Sequence, residues 1–153
     1  MTPQEFIAQI SASAVQSMKS SRIPASFTVA EAALESGWGS SRLYAEAKNI
    51  FGVKADPSWD GPFIDMPTHE YVNGRLTQVM ARWRKYDTYQ ACFDDHAKFL
   101  HDNERYDACF ERQYTGPEFA IEIARCGYST DPDYAEKMAS IIRQHNLMEL
   151  DHD

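Results

Sequence analysis

No stretch of this chain approaches the roughly 20 consecutive apolar residues of a membrane span. The first 21 residues hold no apolar run of signal-peptide length, and Pro3-Gln4-Glu5 stands where a leader would carry positive charge. Synthesis without a signal peptide, as a soluble cytoplasmic protein, is therefore expected, and any target outside the cytoplasm would need export, injection or holin-mediated release. Basic charge is also short. Fifteen Lys and Arg against 23 Asp and Glu leave a net charge of −8, which argues against a nucleic-acid partner and against attraction to anionic lipid. Cysteine is sparse and odd in number: Cys92, Cys109 and Cys126 follow no metal-ligand spacing and are expected to be free thiols. The five histidines form no ligand pair, and His69-Glu70-Tyr71-Val72-Asn73 fails the zincin pattern because Asn73 occupies the second His position. Neither a metal nor a cofactor is expected.

What is present is one ordinary domain's worth of chain. Its 153 residues are 43% hydrophobic and 12% aromatic, enough to bury a core without staples. Thr2 and Pro3 open a helix to about Ser20, with Phe6, Ile7, Ile10, Ala14 and Met18 at helical spacing. A second helix, capped by Ser26 or Thr28, runs to Ser36 with Val29, Ala32 and Ala33 as its packed face; Thr28 and Glu31 have capping-box spacing, and Gly37 stops it. Ser40 to Glu46 reads as a short helix, Asn49 to Lys54 as an apolar loop or short strand, and Ala55 to Pro62 as turns. Asn73-Gly74 joins two strands, Thr68–Val72 and Arg75–Tyr86, and a two-residue turn sets Val72 opposite Arg75 and Glu70 opposite Thr77. Tyr89, Cys92, Phe93, Ala97 and Leu100 mark another helix. Arg105 to Tyr114 is ambiguous, Pro117 to Arg125 is helical, and Asp131 with Pro132 opens a last helix whose inner face is Tyr134, Met138, Ile141, Ile142 and His145. Met1 and a soft tail, Glu149 to Asp153, read as chain ends. The fold class is mainly α with a small β-hairpin lobe at about residues 61–86.

Two carboxylates stand out. Glu35 lies in the last turn of an apolar helix, followed by Ser36-Gly37-Trp38-Gly39. A carboxyl beside apolar surface holds its proton more tightly, as a general acid for glycosidic cleavage must. Glu70 lies on the hairpin, an element able to face that helix across a groove, so the pair supplies one acid and one base or charge stabiliser. Composition alone favours plainer roles: a solvated helix-end residue for Glu35 and an exposed cross-strand partner for Glu70.

The segment Glu35-Ser36-Gly37-Trp38-Gly39 followed by Asn49-Ile50-Phe51-Gly52-Val53-Lys54 resembles the glucosaminidase domain of glycoside hydrolase family 73. Further matches come in the family's order: Trp59-Asp60-Gly61-Pro62, Glu70-Tyr71-Val72-Asn73-Gly74, Arg84-Lys85-Tyr86 and Gly127 to Ala135. The resemblance implies a lysozyme-like α+β fold and endo-hydrolysis of the β-1,4 bond from N-acetylglucosamine to N-acetylmuramic acid in peptidoglycan. It implies Glu35 as catalytic acid, Glu70 as second carboxylate and Tyr128 as the tyrosine lining the site. Trp38, Asn49, Tyr71 and Tyr134 are candidate substrate contacts. Trp38 would stack on a sugar ring or wall the acid off from water. Each has a plainer role: Trp38 in the core, Asn49 as a loop clamp, Tyr71 on the strand face away from Glu70, and Tyr134 in the core. Phe51 reads as packing, and Asp65 is a rival second carboxylate ranked below Glu70.

Either Glu70 activates water with inversion, or the substrate's own N-acetyl group attacks. On the same fold a muramidase or lytic transglycosylase would share the helix-end glutamate, and a non-catalytic wall-binding module is the reading from another class. The expected partner is the glycan strand, with the protein a monomer acting in the periplasm or cell wall. A phage endolysin or a type VI secreted antibacterial effector fits, the latter with a cognate immunity protein.

Overall fold

The computed structural model describes residues 1–152; the expected tail's last residue, Asp153, lies outside them. Helix α1 is Pro3–Ser21. Thr2 caps it: its hydroxyl accepts from the Glu5 amide at 3.1 Å while the Glu5 carboxylate accepts from the Thr2 amide at 3.0 Å. Phe6, Ile10 and Ala14, a turn apart on one face, are fully buried.

Helix α2, Ala25–Ser36, is the centre of the molecule. It packs against α1, against α5 (Gly116–Arg125) and α6 (Tyr134–Gln144), and against a terminal 3-10 turn, Leu147–His152. Because neighbours lie on most sides, Ala25, Phe27, Val29, Ala30, Ala32 and Ala33 are all buried, a wider surface than the single stripe expected. The capping box expected from Thr28 and Glu31 does not form, since the helix starts three residues before Thr28. No side chain of its own caps it. Instead Asp151 accepts hydrogen bonds from the Ser26 amide at 2.8 Å and the Ser26 hydroxyl at 2.7 Å, placing an anion at the helix's positive end. The supposed soft tail is thus an ordered clasp as far as His152. At the other end Gly37 takes φ +58, ψ +48, the left-handed stop that a Cβ disfavours.

After α3, Arg42–Ala47, the loop 48–62 leads into the hairpin of β1, Phe63–Val72, and β2, Arg75–Arg84. The register is as expected, Val72 opposite Arg75 and Glu70 opposite Thr77. β1 begins five residues earlier than the sequence suggested. Pro67 does not stop it: counting back from the Val72–Arg75 pair that closes the turn, Pro67 falls at an alternate position whose amide would point to the outer edge and not to β2, so its absence costs the ladder nothing. Met66 and Trp83 point to the inner face and are buried; Phe63, Tyr71, Leu76 and Met80 stand in solvent.

The chain returns through α4, Tyr89–Asp102, and a 3-10 turn, Glu104–Phe110, which resolves the ambiguous stretch. Helix α6 starts at Tyr134 rather than Pro132. The Asp131 carboxylate accepts from the Asp133 amide at 2.9 Å and from Lys137 Nζ at 2.6 Å, and so holds residues 131–134 in a turn before the helix begins. Among the described residues no helix is long and apolar enough to cross a membrane. Among the described residues no group of three or more His, Cys, Asp or Glu is placed to hold a metal ion.

Candidate active site

Helix α2 presents two carboxyls one turn apart, Glu31 and Glu35, which lie on the same face by the helical repeat. Glu35 sits at the rim, open to solvent on one side, and burial of the other raises its carboxyl above the ordinary carboxylate range. Glu31 is 1% exposed. Its two oxygens accept hydrogen bonds from the phenols of Tyr128, at 3.0 Å, and Tyr134. Burial, opposed by those bonds and reinforced by the Glu35 charge, pushes Glu31 up to about 7.

Tyr128 follows Gly127, whose φ of +84 turns the chain out of α5. Its hydroxyl also meets His96 Nε2 from α4 at 2.9 Å. His96 stacks on Phe51, ring centroids 4.1 Å apart, and burial lowers it to about 4, so its imidazole is neutral at pH 7. Burial, then the facing Glu31 carboxyl, raises both phenols, which keep their protons.

Tyr128 and His96 also line a hollow of about 270 Å³ together with Phe51, Gly52, Val53, Arg84, Asp95 and Phe99. A larger hollow of about 750 Å³ shares Arg84, Asp95 and Phe99 and runs on past Trp59, Lys98 and Asn103. The two form one groove with Tyr128 at its inner end. Arg84 organises its wall: the guanidinium lies 4.6 Å from the Trp59 ring centre, donates to the Lys54 carbonyl at 3.1 Å and pairs with Asp95 at 2.8 Å, while the Tyr86 hydroxyl donates to the same Asp95 at 2.5 Å. The hairpin base is thereby tied to α4.

Glu70 lies toward the far end of the inner face of β1, where its carboxylate pairs with Lys54 Nζ at 2.5 Å, both side chains about half exposed. Asp65 is exposed and paired with Arg82 at 3.2 Å.

The other candidates fall in different places. Asn49 is completely buried and its amide is fully used, accepting from the Val53 amide at 3.0 Å and donating to the Val53 and Arg84 carbonyls at 2.9 and 2.8 Å. That arrangement clamps the loop to β2 and leaves no polar atom for a sugar. Tyr134 is 2% exposed with its hydroxyl on Glu31, below the surface rather than lining it. Tyr71 points away from Glu70's face and is 77% exposed. Trp38 is half-buried, edge-on to Phe6 at 5.8 Å and tilted against His145 at 4.9 Å, which fits a wall beside the helix end. Glu35, Tyr128 and Tyr134 therefore converge around Glu31, while Glu70 and Tyr71 stand apart on the hairpin.

The sequence reading gave Glu31, His96 and the Arg84–Asp95 pair no part in the site. A capping box offered Glu31 a role that hid it; the available signal was a lone acid inside a helix of buried alanines, where an ionisable group requires partners.

Residues 11–147 match the glucosaminidase family model, described as mannosyl-glycoprotein endo-beta-N-acetylglucosaminidase. Peptidoglycan hydrolase FlgJ of Salmonella typhimurium is 38% identical over 149 residues, covering 95% of this chain and 47% of the relative. Exo-glucosaminidase LytG of Bacillus subtilis is 35% identical, covering 97% and 53%. The catalytic domain of the autolysin Auto from Listeria monocytogenes superimposes with a TM-score of 0.86 at 32% identity, covering 97% of this chain and 87% of that one. The chain spans about half the length of the full-length relatives it matches. On the family match, the identities and the shared architecture, this chain belongs to the glucosaminidase family, glycoside hydrolase family 73.

Proposed function

We propose that this chain hydrolyses the β-1,4 bond from N-acetylglucosamine to N-acetylmuramic acid within peptidoglycan strands, with Glu35 as the general acid. The observation that carries the proposal is Glu35 itself: a carboxyl at the end of α2 whose partial burial favours the protonated form, beside the Tyr128 that closes the inner end of a groove. Glu35 gives its proton to the glycosidic oxygen, which leaves with the N-acetylmuramic acid side as the bond breaks; positive charge develops at the anomeric carbon and ring oxygen of the N-acetylglucosamine left behind, and water finally takes the vacated position there. Trp38 shields one side of the acid.

Glu70 is the second carboxylate. Its exposed ion pair with Lys54 is weak in water, so the hairpin can release it toward the groove when a glycan strand enters. There it either activates the water or steadies charge while the substrate's acetamido group attacks. Tyr128, half-buried at the groove's end with its proton on Glu31, offers its hydroxyl oxygen as an acceptor to the acetamido N–H or to the water.

Mass spectrometry of borohydride-reduced fragments from purified peptidoglycan tests the reading, with Glu35→Gln as control. Reduced N-acetylglucosamine ends that vanish in the variant are expected. Reduced N-acetylmuramic acid or 1,6-anhydro ends would place the chain among muramidases or transglycosylases instead. Release of single sugars rather than oligosaccharides would mark exo-cleavage, the activity named for LytG.

As the setting, we propose a phage lysin or an effector injected by a type VI secretion system, neutralised in the second case by an immunity protein plugging the groove. Expression in Escherichia coli with and without a periplasmic signal checks whether access to the wall suffices for lysis. A neighbouring gene whose product blocks hydrolysis in vitro would decide for the effector.

A further inference from the structure

We propose that His96 and Phe99, one turn apart on α4, form a subsite at the inner end of the groove for an uncharged N-acetylglucosamine ring. Phe99 carries the ring's apolar face, and His96 Nδ1 accepts a hydrogen bond from one of its hydroxyls. The inference rests on reading the groove as a glycan site, but not on Glu35 being the acid.

The helical repeat puts the two side chains on one face of α4, and both line the hollow of about 270 Å³ that ends at Tyr128. Their planes lie within 19° of parallel, with ring centroids 6.5 Å apart. Phe99 is 51% exposed and also borders the larger hollow. A phenyl left bare where two hollows meet is apolar surface that a bound ring would cover. The His96 ring is held in place: Phe51 stacks on it with centroids 4.1 Å apart, and its Nε2 meets the Tyr128 hydroxyl at 2.9 Å.

The hydrogen-bond chain decides which imidazole nitrogen is bare. Tyr128 gives its proton to Glu31, so His96 supplies the hydrogen of the Nε2 contact. Burial keeps the imidazole neutral at pH 7, and a neutral ring carries a single N–H, which leaves Nδ1 an acceptor. Nδ1 has no protein partner among the described residues, and none of their buried side-chain nitrogens or oxygens is unpaired, so solvent reaches this atom. His96 is half-buried, and the hollow it lines is where it meets solvent.

Charge selects the ligand. The charged side chains at this hollow are Arg84 and Asp95, which pair with each other at 2.8 Å. With imidazole and phenol also uncharged, nothing there compensates an ion for the water it would lose. Aromatic walls and a few fixed polar atoms suit a sugar ring, apolar on its C–H face and polar at its edge. The volume is close to the lower end for small-ligand sites, about 300 Å³, which fits one ring rather than several. In a peptidoglycan strand the uncharged ring is N-acetylglucosamine. N-acetylmuramic acid bears a lactyl group that ends in a carboxylate or in the stem peptide, and this hollow offers it no partner.

The test uses the whole chain carrying Glu35→Gln, so that no hydrolysis competes, titrated with the β-1,4-linked trimer of N-acetylglucosamine. NMR follows the histidine ring nitrogens, with the Gly52 and Tyr128 amides reporting on the groove. In the free chain His96 should carry its hydrogen on Nε2. On binding, the Nδ1 resonance and the Phe99 ring protons should move, while N-acetylmuramic acid alone at the same concentration moves neither. Phe99→Ala, at a half-exposed position that does not threaten the fold, should weaken trimer binding about tenfold, the order for one aromatic contact. His96→Phe, which keeps a ring on Phe51, should weaken it about fivefold, as for one neutral hydrogen bond. A hydrogen on Nδ1, or unchanged affinity in Phe99→Ala, overturns the subsite; if the Gly52 and Tyr128 amides still respond, the glycan reading of the groove stands. An equal response to N-acetylmuramic acid overturns the choice of ring. A groove in which nothing moves overturns the glycan reading and the subsite with it.

Discussion

The two regions that carry the carboxylates are built on opposite terms. On α2 the acids are placed by burial: Glu31 is sealed under two phenols and Glu35 stands at the edge of the same packing. On the hairpin Glu70 is placed by an ion pair across open water, on a two-stranded ribbon whose outer face exposes Phe63, Tyr71, Leu76 and Met80. A buried site fixes chemistry and resists motion; an exposed one fixes little and can move. Under the proposed function, the acid, whose proton affinity must be set in advance, belongs in the first region. Under the same proposal, a second carboxylate needed only when substrate is present suits the second.

If that division is right, Glu35→Gln has the largest effect, a loss of about a thousandfold in reducing-end release, within the range for removing a general acid. Next comes a stability signature of the buried region. The folded-state position of Glu31, about 7, lies above its ordinary 4.5, so the folded chain holds a proton that the unfolded chain has released. The associated stability is whole below pH 4.5 and is lost as pH rises through 7, roughly 3 kcal/mol in all. Urea unfolding at pH 5 and pH 8 should show that fall in the native chain and its absence in Glu31→Gln, the difference between the two isolating Glu31 from other carboxylates. Glu70→Gln should cost about tenfold in rate, since its partner lies in water; a loss equal to that of Glu35→Gln would erase the distinction between the regions. Smallest is Gly74→Ala, at a turn position with φ +78. It should cost about 1 kcal/mol, visible as faster amide exchange along β1 and β2 with little change in α2.

The hairpin was the most legible part of the fold, because Asn73-Gly74 specifies a two-residue turn and the turn fixes every pair along the ladder. Helices with their own caps, such as α1, were legible for the same local reason. The start of α2 was not, since its cap comes from Asp151 and no local pattern announces a partner 125 positions away. The site divided along the same line. Glu35, Glu70 and Tyr128 were visible as motif residues, whereas Glu31 and His96 acquire meaning only through Tyr128, which the fold brings from the other end of the chain. Asn49 looked free to bind sugar because sequence cannot show that three backbone groups already occupy its amide.

The Asp151 clasp has a consequence for the order in which the protein is made. The anion that closes the first turn of α2 is made 125 residues after the Ser26 it caps. Until then the helix bearing Glu31 and Glu35 lacks that closure, and Tyr128 and Tyr134, which cover Glu31, follow it by 97 and 103 residues. Nascent chains should therefore carry an unfinished α2 until residues 128–151 dock on it, so that its two carboxyls acquire their surroundings together rather than turn by turn.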